Sequence, residues 1–131
     1  MELAEIKLTL DQDYPIHADI DGTKLEIDGP ESMGGKASMP NPTDWFIASV
    51  AACKIVYAMG FIKRRGLEVK SIKATADAAK GDGKCDGITV NLEIDGDIPD
   101  NVRPALEKFI SKCFVGETVK QGCDVSYEVS Y

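Results

Sequence analysis

Residues 45–62 read WFIASVAACKIVYAMGFI, and Lys54 is the only charged residue among them. A helix over this stretch would be about 27 Å long, and because it is apolar nearly all round it must be buried. The central Lys54 and the strand patterns on both sides argue against a membrane span. Since a chain of 131 residues cannot easily cover such a helix alone, we expect an intimate homodimer.

Both ends of this helix carry recognisable signals. Pro42 precedes it, and Thr43 or Asp44 is predicted to cap its first turn. The run 63–66, KRRG, places basic residues in the last turn and a glycine after it, as helix C-termini prefer.

The segments on both sides of the helix alternate between apolar and polar residues, which predicts strands. Three strands are expected before it, with Asp21-Gly22 as a hairpin turn between the second and third. Two strands and a second, amphipathic helix are expected after it, followed by a last strand through Val125, Tyr127, Val129 and Tyr131. The sequence therefore predicts a single α+β domain over residues 1–131 with the order β-β-β-α-β-β-α-β, its sheets arranged around central buried helices.

Charge and the N-terminal sequence limit the possible partners and the compartment. The formal net charge is −7 and the pI is about 4.7, which argues against nucleic acid and against anionic membranes as partners. The first residues, MELAEIK, do not form a signal peptide. We therefore expect a cytoplasmic protein whose thiols are kept reduced.

Four cysteines remain to be explained, at positions 53, 85, 113 and 123. No two have the C-x-x-C spacing of metal sites, so no metal is expected. Cys53 lies in the middle of the apolar helix, and Cys113 lies on the predicted buried stripe of the second helix. If these helices pack together, the two thiols can form a transient, catalytic or sensory pair, although buried cysteines also act as small hydrophobic residues.

The local charges distinguish these two thiols. The helical neighbours of Cys53 provide no cation, and Lys54 points to another face of the helix. Glu117, four residues after Cys113, disfavours a thiolate there and suits a resolving thiol better than an attacking one. Cys85, in the glycine-rich loop 80–87, is expected to be exposed, and Cys123 has no predicted partner.

Three segments together resemble the OsmC/Ohr superfamily. Residues 41–53, NPTDWFIASVAAC, resemble the motif that opens its long helix and ends on a cysteine. Residues 113–118, CFVGET, resemble its second-cysteine motif, and residues 65–69, RGLEV, followed by two strands, match the order of the family. The resemblance implies an intertwined homodimer with active sites at the subunit interface.

The same resemblance implies a reaction and its residues. Cys53 would attack an organic hydroperoxide and become a sulfenic acid, Cys113 would condense with it to a disulfide, and an external dithiol would restore both. Asp44 would support catalysis, and Phe46 and Phe114 would provide apolar surroundings for the substrate. No metal or organic cofactor is implied.

Two positions differ from the peroxidases of the family. The peroxidases place a Glu directly after the helix-opening Pro, where this chain has Thr43 followed by Asp44. They also use an Arg from an early strand, whereas this chain has no Arg before Arg64 and only Lys7, Lys24 and Lys36 as early cations. A non-catalytic dimer that binds a small apolar ligand, or a thiol redox sensor, is therefore the alternative to a peroxidase.

Overall fold

The computed structural model describes residues 3–131 and has an α+β architecture. Five strands and three helices follow one another in the order β1 (Ile6–Thr9), β2 (Ile16–Ile20), β3 (Thr23–Ile27), α1 (Pro42–Arg64), β4 (Val69–Lys80), β5 (Cys85–Gly96), α2 (Arg103–Ile110) and α3 (Phe114–Gln121). The chain forms two compact units, one ending at Phe46 and the other comprising Ile47–Tyr131. The single domain expected from the sequence remains a prediction.

In the first unit, β1, β2 and β3 form an antiparallel meander with β2 in the centre. Ile20 pairs with Ile6 on one side and with Thr23 on the other. The predicted turn between β2 and β3 is confirmed: Asp21 and Gly22 have φ values of 48° and 89°, the left-handed conformations that a two-residue hairpin of this type requires.

The loop after β3 is organised by the buried carboxylate of Asp28. It accepts hydrogen bonds from the backbone N–H groups of Gly29 (2.8 Å), Lys36 (3.0 Å) and Ser38 (2.7 Å), and from the Ser38 hydroxyl (2.9 Å). These bonds, first of all the one from Lys36 N–H, hold the pKa of Asp28 well below its usual range. The bonds to Asp28 thereby attach the long loop to the end of β3. The regular structure described within this loop is one 3₁₀ turn at Glu31–Met33.

In the second unit, the long β4–β5 hairpin and the helices enclose the apolar core. Ala58, Phe61 and Ile62 of α1 pack with Ile98, Leu106 and Ile110. The Phe109 ring lies 5.3 Å from Tyr57 and 6.0 Å from Phe61, measured between ring centroids. The predicted end of α1 is confirmed, since Gly66 adopts φ +67° and Leu67 N–H donates to Ile62 O at 3.0 Å.

Only part of α1 is buried within the chain. By length and composition the helix could cross a membrane, with mean hydropathy 1.8 over its most apolar window, but core helices of soluble proteins pass the same test. Of this window 22% is buried, and Val56 in its middle is 65% exposed. The chain alone therefore does not provide the burial that the apolar sequence predicts.

Two predicted elements differ in the structure. The prediction of one helix reaching Cys113 is wrong, because α2 ends at Ile110 and a separate helix, α3, begins at Phe114. Residues 122–131 have no regular secondary structure, although the alternation predicts a strand from Val125 to Tyr131. Their apolar side chains are exposed, since no strand of the described chain pairs with this segment.

Candidate functional site

Asp44 lies in the first turn of α1, where it forms a reciprocal cap with Asn41. The Asp44 N–H donates to Asn41 Oδ1 at 3.1 Å, and the Asn41 N–H donates to Asp44 Oδ2 at 3.0 Å. This is the geometry of a capping box, so the capping residue is Asn41 rather than the predicted Thr43 or Asp44. The carboxylate predicted to support catalysis thus stabilises the start of the helix that carries Cys53.

Cys53 is a half-buried free thiol in the middle of α1. Lys54 is the next residue, so its side chain leaves the helix about 100° further round the axis. This confirms that the two side chains face different directions. Cys53 therefore has no cation from its own neighbours on α1.

Cys113 is completely buried, with 0% of its surface exposed, at the junction between α2 and α3. The last turn of α2 closes with hydrogen bonds from Lys112 N–H to Phe109 O (3.1 Å) and from Cys113 N–H to Ile110 O (3.2 Å). Cys113 then turns to an extended conformation (φ −58°, ψ 139°) and precedes the first residue of α3. Its thiol thus lies beside a helix N-terminus, where the backbone dipoles favour negative charge.

The structure brings Lys54 to this junction, although sequence reasoning did not include it in the site. Its Nζ donates to the carbonyl oxygen of Ile110 at 3.4 Å. A Cβ built on Gly116 would lie 2.7 Å from Cys113 Sγ and 3.2 Å from Lys54 Nζ. The ammonium and the thiol therefore adjoin the same glycine, and the residue after Cys53 contacts the segment that contains Cys113. The sequence signal for Lys54 was its position as the only charged residue among residues 45–62.

The sequence predicts that the charge of Glu117 disfavours a thiolate at Cys113, but in the structure this carboxylate has partners of its own on α3. The Glu117 carboxylate accepts a hydrogen bond from Gln121 Nε2 at 2.8 Å and lies 4.0 Å from Lys120 Nζ. Its charge is therefore shared with partners on the later turns of α3.

The remaining residues of interest are distributed over both units. Phe46 closes the first unit and is 42% exposed, whereas Phe114 opens α3 in the second and is 50% exposed. Cys123 is exposed, but the prediction of an exposed Cys85 in a loop is wrong. Cys85 is the half-buried first residue of β5, and its Sγ donates to Gly87 O at 3.2 Å.

The early lysines all have acidic partners within the first unit. Lys7 lies 3.1 Å from Glu5, Lys36 lies 3.8 Å from Asp13, and Lys24 forms an ion pair with Asp19. Each of the three lysines is thus already paired with a carboxylate. None of them is therefore a direct replacement for the early-strand Arg that the peroxidases of the family use.

Comparison with known proteins identifies the family. Residues 35–128 match the model of the family described as OsmC-like protein, so the chain belongs to the OsmC-like protein family. No curated protein matches the sequence.

Solved structures of related proteins share the fold. An OsmC-like protein from Mycoplasma pneumoniae is 16% identical with a TM-score of 0.76, and the alignment covers 91% of this chain and 88% of that one. A protein from Legionella pneumophila, described as an organic hydroperoxide resistance protein OsmC, is 17% identical with a TM-score of 0.68 (92% and 90% covered). An OsmC-like hydroperoxide resistance protein from Jannaschia sp. CCS1 is 19% identical with a TM-score of 0.57 (89% and 83% covered). At these identities the likeness establishes the fold.

Proposed function

We propose that this protein is a thiol-dependent peroxidase that reduces organic hydroperoxides, with Cys53 as the attacking thiol and Cys113 as the resolving thiol. The observation that carries the proposal is the contact between Lys54 and the α2–α3 junction. Lys54 directly follows Cys53, and its Nζ lies beside the glycine that also touches Cys113 Sγ. Family membership and the names of two structural relatives support the substrate class.

The reaction has three steps. The Cys53 sulfur attacks the terminal peroxide oxygen, so that the O–O bond breaks, the alcohol leaves and Cys53 becomes a sulfenic acid. The Cys113 sulfur then attacks the Cys53 sulfur, which forms the disulfide and releases water. An external dithiol reduces the disulfide and is itself oxidised. No metal or organic cofactor takes part.

Phe46 and Phe114 are the proposed apolar contacts of the substrate, and Asp44 remains a proposed catalytic residue. Both rings keep about half of their surface exposed within the chain, so both have area left to cover an apolar peroxide. Contact with aromatic rings favours bulky organic peroxides over hydrogen peroxide, because burial of apolar surface contributes about 25 cal/mol per Å².

We also propose that the active form is a cytoplasmic homodimer in which a second copy covers α1. The exposed residues on this helix include Ala52, Val56 and Gly60, which follow one another at helical spacing, and an exposed apolar face of this kind marks an interface. Lys54, half-buried at the centre of the same helix, favours a protein partner over lipid as the cover, since a charge is costly at the bilayer centre.

The test is peroxide consumption with a dithiol, comparing cumene hydroperoxide with hydrogen peroxide. We expect rapid, preferential loss of cumene hydroperoxide with the wild type and none above background with Cys53→Ser. Cys113→Ser should stop at Cys53 sulfenic acid, which dimedone traps for detection by mass spectrometry. Cys123→Ser, at an exposed position, is the matched control and should behave as the wild type.

Unmodified Cys53 in Cys113→Ser after one equivalent of peroxide would contradict the peroxidase. A small apolar molecule found by native mass spectrometry of the same inactive protein would then support the ligand-binding dimer, with both cysteines as packing residues.

A further inference from the structure

Lys54 is a half-buried cation without a carboxylate partner. Among the described residues no Asp or Glu oxygen lies within 4.0 Å of its Nζ, and its hydrogen bond goes to a neutral carbonyl, Ile110 O. A buried charge is costly unless it is compensated. The orphan carbonyls at the end of α2 compensate about half a charge, so a further source of negative charge fits beside this ammonium.

The group positioned to supply that charge is Cys113. Its sulfur is fully buried, and it lies against the same face of Gly116 as the ammonium. The absence of a side chain at Gly116 is what leaves room for both groups. Glu117, the nearest acid on α3, is engaged by Gln121 and Lys120. Cys113 is therefore the acidic group that shares the contact at Gly116 with the ammonium.

We propose that Lys54 is a positioning residue for Cys113, whose ammonium stabilises negative charge on the Cys113 sulfur and holds that thiol ready to resolve the sulfenic acid. The role in turnover rests on the proposed peroxidase function; the electrostatic pairing of Lys54 and Cys113 does not.

In the resolving step, the Cys113 thiolate attacks the sulfur of Cys53–SOH. The S–S bond forms as the S–O bond breaks, and the leaving hydroxide takes the proton that Cys113 lost and departs as water. When the dithiol later attacks Cys53, Cys113 leaves as a thiolate. In both steps negative charge resides on the Cys113 sulfur, where a neighbouring cation lowers its energy because the site excludes water.

Three substitutions separate this role from simple helix capping. Lys54→Arg keeps both the charge and a donor for Ile110 O, Lys54→Gln keeps a donor without the charge, and Lys54→Met keeps neither. If Lys54 only caps α2, the Lys54→Gln protein should react as the wild type does. If the charge of Lys54 acts on Cys113, the Lys54→Gln protein should react as slowly as the Lys54→Met protein.

The first experiment needs no peroxide. In a background with Cys53, Cys85 and Cys123 replaced by Ser, Cys113 is the only thiol and its reaction with dithiodipyridine is followed by absorbance. We expect Lys54→Gln and Lys54→Met to slow this reaction about tenfold or more and Lys54→Arg to stay near the Lys54 rate. Mere destabilisation would act in the opposite direction, since opening of the fold exposes a buried thiol. Equal rates for the Lys54 and Lys54→Gln proteins would overturn the proposal.

The second experiment follows turnover in proteins with Cys53 and Cys113 intact. After a single equivalent of cumene hydroperoxide, Lys54→Gln should form Cys53 sulfenic acid as fast as the wild type but convert it to the disulfide about tenfold more slowly. Disulfide formation at the wild-type rate would overturn the role in resolution. Failure of the wild type itself to form sulfenic acid would instead overturn the proposed function, and the dithiodipyridine result would stand on its own.

Discussion

Gly116 lies directly against the sulfur of Cys113: a Cβ at that position would be 2.7 Å from Sγ, closer than side chains tolerate. They are three positions apart in sequence, and the first turn of α3 folds the glycine back onto the thiol, with Glu117 N–H donating to Cys113 O at 2.9 Å. Because both residues are buried, neither can move aside cheaply. The close contact with Gly116 thus helps to fix the position of the Cys113 thiol.

Gly116→Ala should therefore destabilise the protein by about 1–3 kcal/mol, since overpacking at a buried contact outweighs the better helix propensity of alanine. Urea denaturation measures this difference. Gly87→Ala is the control, because a Cβ at Gly87 meets nothing within 4 Å, and it should change stability by less than about 0.5 kcal/mol. Equal stability of Gly116→Ala and the wild type would contradict the tight contact at Cys113.

The loop bonded to Asp28 should depend on pH. Folding lowers the pKa of this carboxyl, so its hydrogen bonds contribute fully above the ordinary aspartate pKa of about 3.9, and that contribution decreases as pH falls below it. Hydrogen exchange by mass spectrometry should show that the Lys36 and Ser38 amides lose protection on acidification before β2 does.

Asp28→Asn should produce the same loss of protection already at neutral pH, because an amide oxygen accepts these bonds less strongly than a carboxylate. The exposed Asp11→Asn serves as the control and should leave the loop protected. Unchanged exchange of Ser38 in Asp28→Asn would show that the carboxylate does not hold the loop.

Local patterns in the sequence were sufficient for much of the fold. The Asp21-Gly22 turn, the strands β1 to β5 and the KRRG end of α1 each depend on neighbouring residues alone, and each is confirmed. The alternation after α3 also predicts a strand, but the described chain forms none there. The break between α2 and α3 was missed because residues 111–113 contain neither Gly nor Pro. Cys113 nevertheless has an extended backbone conformation (φ −58°, ψ 139°), and a helical pattern without a helix-breaking residue does not predict such a break.

The candidate site was predictable only in part. The two cysteines were found through the family resemblance and their positions on apolar segments. Lys54 was missed as a site residue because its contacts, Ile110 and Gly116, lie 56 and 62 positions further along the chain. Only the packing of α1 against the α2–α3 junction shows that the Lys54 ammonium and the Cys113 sulfur adjoin the same glycine, Gly116.

The exposed face of α1 gives a direct test of the proposed homodimer. Val56→Glu places a charge in the middle of this face, and an unpaired charge in an interface is expected to raise the dimer dissociation constant about 100-fold or more. Sedimentation equilibrium should show a dimer for the wild type and a monomer for the variant at micromolar concentration. Gln12→Glu makes the same change of charge in an exposed loop and should remain dimeric; a dimeric Val56→Glu would mean that this face is not the interface.

The last segment of the chain should become a strand only when two copies associate. Val125, Tyr127, Val129 and Tyr131 alternate with polar residues but are all exposed in the single chain, and a strand needs a partner for its backbone N–H groups. Hydrogen exchange should therefore show slow amides over residues 125–130 in the wild-type dimer and fast ones in monomeric Val56→Glu. The amides of Ala74 and Leu92, paired within the β4–β5 hairpin, provide the internal control and should exchange slowly in both proteins. Fast exchange of residues 125–130 in the wild-type dimer would refute the strand and leave the alternation without a structural role.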